Sequence, residues 1–292
     1  MHGTELKGWG FLSPTLVVLG FVGIFPFVYV LYLSLFYYNI FSLRGMVYVG
    51  INNFRKLMND PKFMSALSKG LLFVMVTCGV EITLGLAIAL LLSKKFVGRG
   101  VLRTIMTLPL AMAPVAIGSM WIVITRPAVG PVSYWLGKLG ISYDISESAL
   151  QAFFTTVIMD VWHWTPFVIL AFLAGLTSLP REPMEAARVD GAGPWQTFRH
   201  VIFPLMRPIL VTIVFIRIMD TFRIYDEVWA LTSGGPGTAT KYVSIHLVRM
   251  VLARQEYGYG AGMSVFLLYL TIVMCWVLLN LITRVKREVY AE

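Results

Sequence analysis

Apolar residues in this chain come in long unbroken blocks rather than in the stripes of a soluble helix or the alternation of a strand. Six blocks stand out, at about 11–38, 69–93, 103–125, 150–176, 209–231 and 263–283. Crossing the hydrocarbon layer of a bilayer takes about 20 helical residues, and every block reaches that length. Inside lipid each backbone N–H and C=O needs an internal partner, so blocks of this kind are expected to be helices. The pattern predicts an all-α polytopic membrane protein with six transmembrane helices. The segments between them at 39–68, 126–149 and 233–260 read as outer loops. Within 39–68, Phe54, Leu57, Met58, Phe63, Met64, Ala66 and Leu67 recur at roughly helical spacing. That predicts a short amphipathic helix, either lying on the outer membrane surface or packed as an ordinary loop helix.

Composition agrees. Of 292 residues, 58% are hydrophobic and only 13% are charged, against roughly 25% charged in a soluble domain. The first block is longer than a signal-peptide core and lacks a small-x-small cleavage site, so it is expected to stay as a span. A net charge of +9 could suit nucleic acid, but its distribution argues against such a partner. Lys94, Lys95, Arg99 and Arg103 crowd one loop, and Arg284, Lys286 and Arg287 follow the last block. By the positive-inside rule these segments face the cytoplasm, which gives an N-in/C-in topology with membrane lipid as the solvent. Cys78 and Cys275 fall within apolar blocks, and His2, His163, His200 and His246 lie in separate regions. Neither set has metal-ligand spacing, so no metal, cofactor or catalytic residue is expected. No strong internal repeat appears, and residues 1–292 read as one membrane domain.

The polar segment 177–208 differs from the other loops. Ser178 can cap a helix whose first turn holds Pro180 and Pro183, and Glu182 and Glu185 suit its positive end. Ala186 and Ala187 leave a close-approach face. Asp190 is followed by Gly191, which can supply the turn into a second helix. Trp195, Phe198, Val201 and Ile202 give that helix an apolar side, and Pro204 marks its exit towards the next span. The segment reads equally as a docking knob for a soluble partner or as a connector packed on its own bundle.

The run Glu185-Ala186-Ala187-x3-Gly191-x9-Val201-x-Phe203-Pro204 closely resembles the EAA loop of ABC importer permeases. Val201 and Phe203 stand where that pattern has Ile and Leu, which keeps apolar character. Asp190-Gly191-Ala192 is similar to the carbohydrate-uptake branch, the maltose and glycerol-phosphate permeases. Other stretches resemble the same branch: Val49-Gly50-Ile51-Asn52-Asn53-Phe54, Arg103 with Leu108-Pro109 and Trp121, Leu231-Thr232-Ser233-Gly234-Gly235-Pro236 with Thr240, and Gly258-Tyr259-Gly260-Ala261-Gly262. The glycine-glycine-proline loop is that of the first permease of a pair, the maltose type. The resemblance runs from about Phe11 to Arg287.

It implies the type I ABC importer permease fold, a second permease subunit, two ATPase subunits and an extracytoplasmic solute-binding protein. Glu185, Ala186, Ala187, Asp190 and Gly191 would form the helix that seats in the ATPase. ATP would be bound by those partners, since no Gly-x4-Gly-Lys-Ser/Thr run occurs in this chain.

Polar side chains within spans are costly and are functional candidates by default. In the fifth span, helical spacing puts Arg217, Asp220, Thr221 and Ile224 on one face. The fourth adds Asp160, Trp162, His163 and Trp164, with Phe167 a turn further on. Aromatic faces beside hydrogen-bonding groups suit a sugar or polyol. Carrying over the sugar-contacting positions of the maltose permeases lands on His163, Trp164, Phe167, Arg217, Asp220, Thr221, Ile224 and Asp226. Ionised groups replace aromatics and amides there, which implies a sugar other than maltose. Arg217 and Asp220 would equally neutralise each other as a structural pair, and Glu81 has no evident partner. An ion- or proton-coupled transporter using Glu81, Asp160 and Asp220 is the alternative reading, and a membrane enzyme is a more distant one.

Overall fold

The computed structural model describes residues 2–127 and 129–289, with side chains from 12 to 280 apart from 128. Arg284, Lys286 and Arg287, expected to follow the last span, lie outside the residues whose side chains are described, as does His2. Among the described residues, five helices are long and apolar enough to cross a membrane, and there are six spans if one helix pair bent by 101° counts as a single span.

Two compact units share the chain, residues 1–64 with 246–270 and residues 65–245 with 271–292. The first unit opens with α1 (His2–Ser34), whose apolar side chains from Leu12 onwards are largely exposed, as a lipid-facing helix requires. A two-residue hairpin follows, β1 (Phe36–Tyr37) against β2 (Val47–Tyr48), antiparallel with Phe36 opposite Tyr48. Helix α2 (Asn52–Met58) is the only part of 39–60 that is helical. The amphipathic segment expected there is thus shorter, and Phe63, Met64, Ala66 and Leu67 belong instead to α3 (Pro61–Ser93). Asn53 buries its amide and donates to the carbonyls of Ser34 and Phe36, both at 2.8 Å. Tyr259 donates to Asp60 at 2.8 Å, and Lys56 lies over the Tyr259 ring and 3.5 Å from Glu256.

The larger unit holds most of the spans. The third was expected as one helix over 103–125. Instead α4 (Arg99–Thr107) passes through a 3-10 turn, Leu108–Ala111, before α5 (Pro114–Thr125), with a bend of 101°. Pro109 and Pro114 lack the N–H groups a continuous helix would use there, which accounts for the break. Helix α6 (Pro131–Lys138) lies in the following loop, and α7 (Ala149–Ser178) is the fourth span, capped by Ser148 accepting from the Gln151 N–H.

After α7 come α8 (Glu182–Val189), α9 (Pro194–Thr197), a π turn at Phe198–Ile202 and α10 (Phe203–Thr221). Ser178 does not cap α8. It ends α7 and donates to the Gly175 carbonyl at 2.8 Å, while Arg181 occupies the cap position and Pro183 the first turn. Pro204 does not mark an exit either, because the helix runs from Pro194 to Thr221 as one span. The π turn lies immediately ahead of Pro204, where the proline ring and missing N–H disrupt ordinary α bonding. The fifth span therefore starts earlier than the expected 209 and stops at Thr221. A four-residue break, 222–225, leads to α11 (Asp226–Thr232). Helices α12 (Val243–Val248) and α13 (Tyr257–Val289) complete the chain.

Two apolar clusters hold this unit together. One gathers Phe73, Ile117, Met159, Val228, Tyr242 and Ile245. The other gathers Ala89, Leu92, Val168, Phe172, Met206 and Ile213. Helix α11 packs tightly on α5. A Cβ at Gly118 would sit 2.4 Å from the Glu227 carbonyl oxygen and 2.6 Å from Ala230 Cβ, so only glycine fits.

Candidate functional site

Three spans converge on one guanidinium. Arg217 of α10 is wholly buried, with 0% exposure. Its Nε donates to Glu81 Oε2 at 2.6 Å and its Nη2 to Glu81 Oε1 at 2.9 Å, the bidentate fork that suits a carboxylate. Nη2 also donates to Asp160 Oδ2 at 3.0 Å. Glu81 comes from α3 and Asp160 from α7, so one side chain joins three helices. The Trp164 ring faces the guanidinium carbon at 4.8 Å, a cation–π contact that helps shield it. Nη1 has no hydrogen-bond partner among the described residues.

Glu81, for which the sequence suggested no partner, thus has the strongest one available. Arg217 and Asp220 do not pair with each other. Asp220 instead accepts from Arg223 at 3.3 Å, on an exposed edge. The signal that could have found the triad is charge balance: Glu81, Asp160 and Arg217 are costly alone within apolar blocks and affordable only together.

Beside the triad lies a cleft of about 400 Å³. Trp164, Arg217, Asp220, Thr221, Ile224 and Asp226 all line it, as do Asp160, Arg223, Tyr225 and Glu227. Two expected residues are absent from the lining. His163 is buried behind it, with Nδ1 3.2 Å from Glu227 Oε1. Phe167 packs against the second apolar cluster instead. The helix ends at Thr221, so Ile224 reaches the cleft from the break rather than from a continuing helical face. Irregular backbone is tolerated at membrane depth where protein or a cavity surrounds it, and the 222–225 break satisfies that condition.

The polar loop presents a different surface. Helix α8 closes on a full Schellman motif: the Ala192 N–H bonds the Ala187 carbonyl at 2.9 Å and the Gly191 N–H that of Arg188 at 3.1 Å. Gly191 has φ +75°, which a side chain would strain. Glu185, Ala186, Asp190 and Gly191 are exposed, whereas Ala187 is buried. The two alanines therefore split their tasks, Ala187 facing its own chain and Ala186 facing out. Val189 is 88% exposed and Trp195 68%, an apolar tip on a polar segment.

A helical bundle with buried charges inside its spans, a polar cleft beside them and a capped helical knob between two spans is the arrangement of a membrane permease. The chain belongs to the family of binding-protein-dependent transport system inner membrane components, whose description matches residues 81–288. It is 31% identical to the trehalose/maltose transport system permease protein MalF of Thermococcus litoralis, over 96% of this chain and 95% of that one. It is 30% identical to the trehalose transport system permease protein SugA of Mycobacterium tuberculosis, covering 92% and 86%. It is 31% identical to the sn-glycerol-3-phosphate transport system permease protein UgpA of Yersinia enterocolitica, covering 77% of each. Among solved structures, a chain of a bacterial ABC transporter that imports the acidic polysaccharide alginate superposes with a TM-score of 0.82 at 19% identity, covering 96% of both chains. That likeness establishes the type I importer permease fold. The protein is an inner-membrane permease subunit of a binding-protein-dependent ABC transporter.

Proposed function

We propose that this permease translocates a sugar or polyol, delivered by an extracytoplasmic binding protein, by alternating access driven from two partner ATPase subunits. A second permease subunit completes the pathway, and this chain itself binds no cofactor. The observation that carries the cargo assignment is the cleft: the Trp164 ring and Ile224 offer apolar walls, and Arg217, Asp220, Thr221 and Asp226 offer donors and acceptors. Sugars present C–H faces and a rim of hydroxyls, which such a lining matches. The relatives named for trehalose, maltose and glycerol phosphate support a small polyhydroxylated cargo.

The coupling assignment rests on α8. A short helix locked by its C-terminal motif, with Glu185 and Gly191 exposed and an apolar tip at Val189, can move as one body when a partner grips it. His163 and Phe167 act behind the lining, His163 by orienting Glu227 and Phe167 by packing the wall.

The test is uptake by the reconstituted complex, with ATP hydrolysis followed in parallel. Asp220→Asn and Trp164→Ala should each raise the half-saturating sugar concentration, by roughly tenfold for a lost charge-assisted hydrogen bond or ring contact. Unchanged uptake in both variants would remove the pocket assignment. For coupling, the tagged chain should bring down an ATPase polypeptide, and Gly191→Asp should release it.

A further inference from the structure

The sign of the cleft's charge carries more information than its polarity. Arg217 is already committed: Glu81 takes two of its donors and Asp160 shares a third. Its charge is therefore matched before any ligand arrives. Arg223 is paired with Asp220, and its side chain is 74% exposed, where water screens it. Asp226 and Glu227 remain. Asp226 is exposed and lines the cleft, and no hydrogen bond or ion pair to it is seen among the described residues. Glu227 is buried, and among the described residues its hydrogen bond is to the ring of His163. Four carboxyl side chains and two guanidiniums line the cleft, a surplus that favours a cationic ligand over an anionic one. One feature points the other way in detail. Arg217, one of the residues that line the cleft, has a buried nitrogen, Nη1, with no hydrogen-bond partner among the described residues. It asks for a neutral acceptor, a hydroxyl or ring oxygen, close to Trp164.

We infer that the cleft selects a sugar bearing a free amino group, with a hydroxyl or ring oxygen on Arg217 Nη1 and the ammonium towards Asp226. An acidic or phosphorylated sugar is disfavoured by the same surplus charge. The inference rests on the cleft being the sugar site and adds the charge class of the cargo. A surplus unit charge about 6 Å away, at an effective dielectric of about 20 and with partial screening, leaves an effect of roughly tenfold in affinity.

The experiment uses the complete permease–ATPase complex in lipid nanodiscs, purified without its binding protein, and measures binding of three matched disaccharides by calorimetry. The probes are the glucosamine disaccharide, cellobiose and cellobiuronic acid, which share a β-1,4 skeleton and differ in charge. The amine should bind about tenfold more tightly than cellobiose and about a hundredfold more tightly than the acid. In Asp226→Asn, an exposed and isosteric change, the preference for the amine over cellobiose should shrink to about twofold or less. Acid binding as tight as amine binding, or a preference that Asp226→Asn leaves in place, overturns the charge inference while the sugar pocket stands. Binding of none of the three overturns the pocket itself and the inference with it.

Discussion

Removing one acceptor from the buried triad at a time should give unequal losses, in an order the geometry fixes. Glu81 accepts two charge-assisted bonds from Arg217, at 2.6 and 2.9 Å, and Asp160 accepts one at 3.0 Å. Hydrogen bonds to charged groups contribute about 1.5–3 kcal/mol each, and breaking a buried pair by removing one partner costs about 3–5 kcal/mol. Glu81→Gln keeps one acceptor oxygen, loses the charge and turns an amide N–H₂ towards guanidinium N–H groups. Because Asp160 stays in place, its cost should fall near the lower end, about 3 kcal/mol. Asp160→Asn leaves the fork intact and should cost about 1.5 kcal/mol. Arg217→Met should be the most severe, since it strands two carboxylates that are 0% and 1% exposed. Denaturant titration of the detergent-solubilised chain, followed by tryptophan fluorescence, reads all three. Equal losses for Glu81→Gln and Asp160→Asn, the reverse order, or losses below about 0.5 kcal/mol in both would show that the triad does not hold these helices.

Other consequences are as specific. Gly118→Ala should destabilise by about 1–3 kcal/mol and impair uptake, because the new methyl meets the Glu227 backbone rather than a side chain that can yield. Gly191→Ala, forced to a φ of +75°, should cost about 1–2 kcal/mol of local order and weaken retention of the ATPase on a pull-down, less severely than Gly191→Asp. Burial pushes the Asp60 carboxyl up, but hydrogen bonds from Tyr259 and from the Lys62 and Phe63 N–H groups, with His246 nearby, outweigh it and hold the group below its ordinary 3.8. A carboxyl lowered on folding stabilises above its unfolded value and loses that contribution as pH falls through the folded one. Tyr259→Phe should therefore reduce stability at neutral pH and flatten its decline below about pH 4 in a near-ultraviolet dichroism titration.

How much of this could be seen in the sequence follows from the range of each interaction. Block length and the demand for satisfied backbone announce the spans, and Glu185 to Gly191 announce the knob, because helix signals act over three or four residues. The end of the fifth span is not legible in this way, since hydropathy continues past Thr221 while the helix does not. Asp220, Arg223 and Asp226 supply the polar backbone environment in which a break is tolerated, and hydropathy averaged over a window passes over them. The bend in the third span had its cause in view, Pro109 and Pro114, but its angle depends on what α5 packs against. Glu81 and Arg217 are 136 positions apart, so no local rule could join them. Six of the eight proposed pocket residues share one cleft, and the exceptions, His163 and Phe167, are those whose direction depends on the rotation of α7.

Arg217 has a mechanical consequence as well as an electrostatic one. Because its hydrogen bonds reach both α3 and α7, a push on α10 from the cytoplasmic side is passed to those two helices through one side chain. Any change of shape must then be taken up where the chain is not helical, at residues 222–225 and at the elbow between α4 and α5. Those two short stretches are where the machine would flex, and substitutions there should alter how fast it cycles while leaving how firmly it is built untouched.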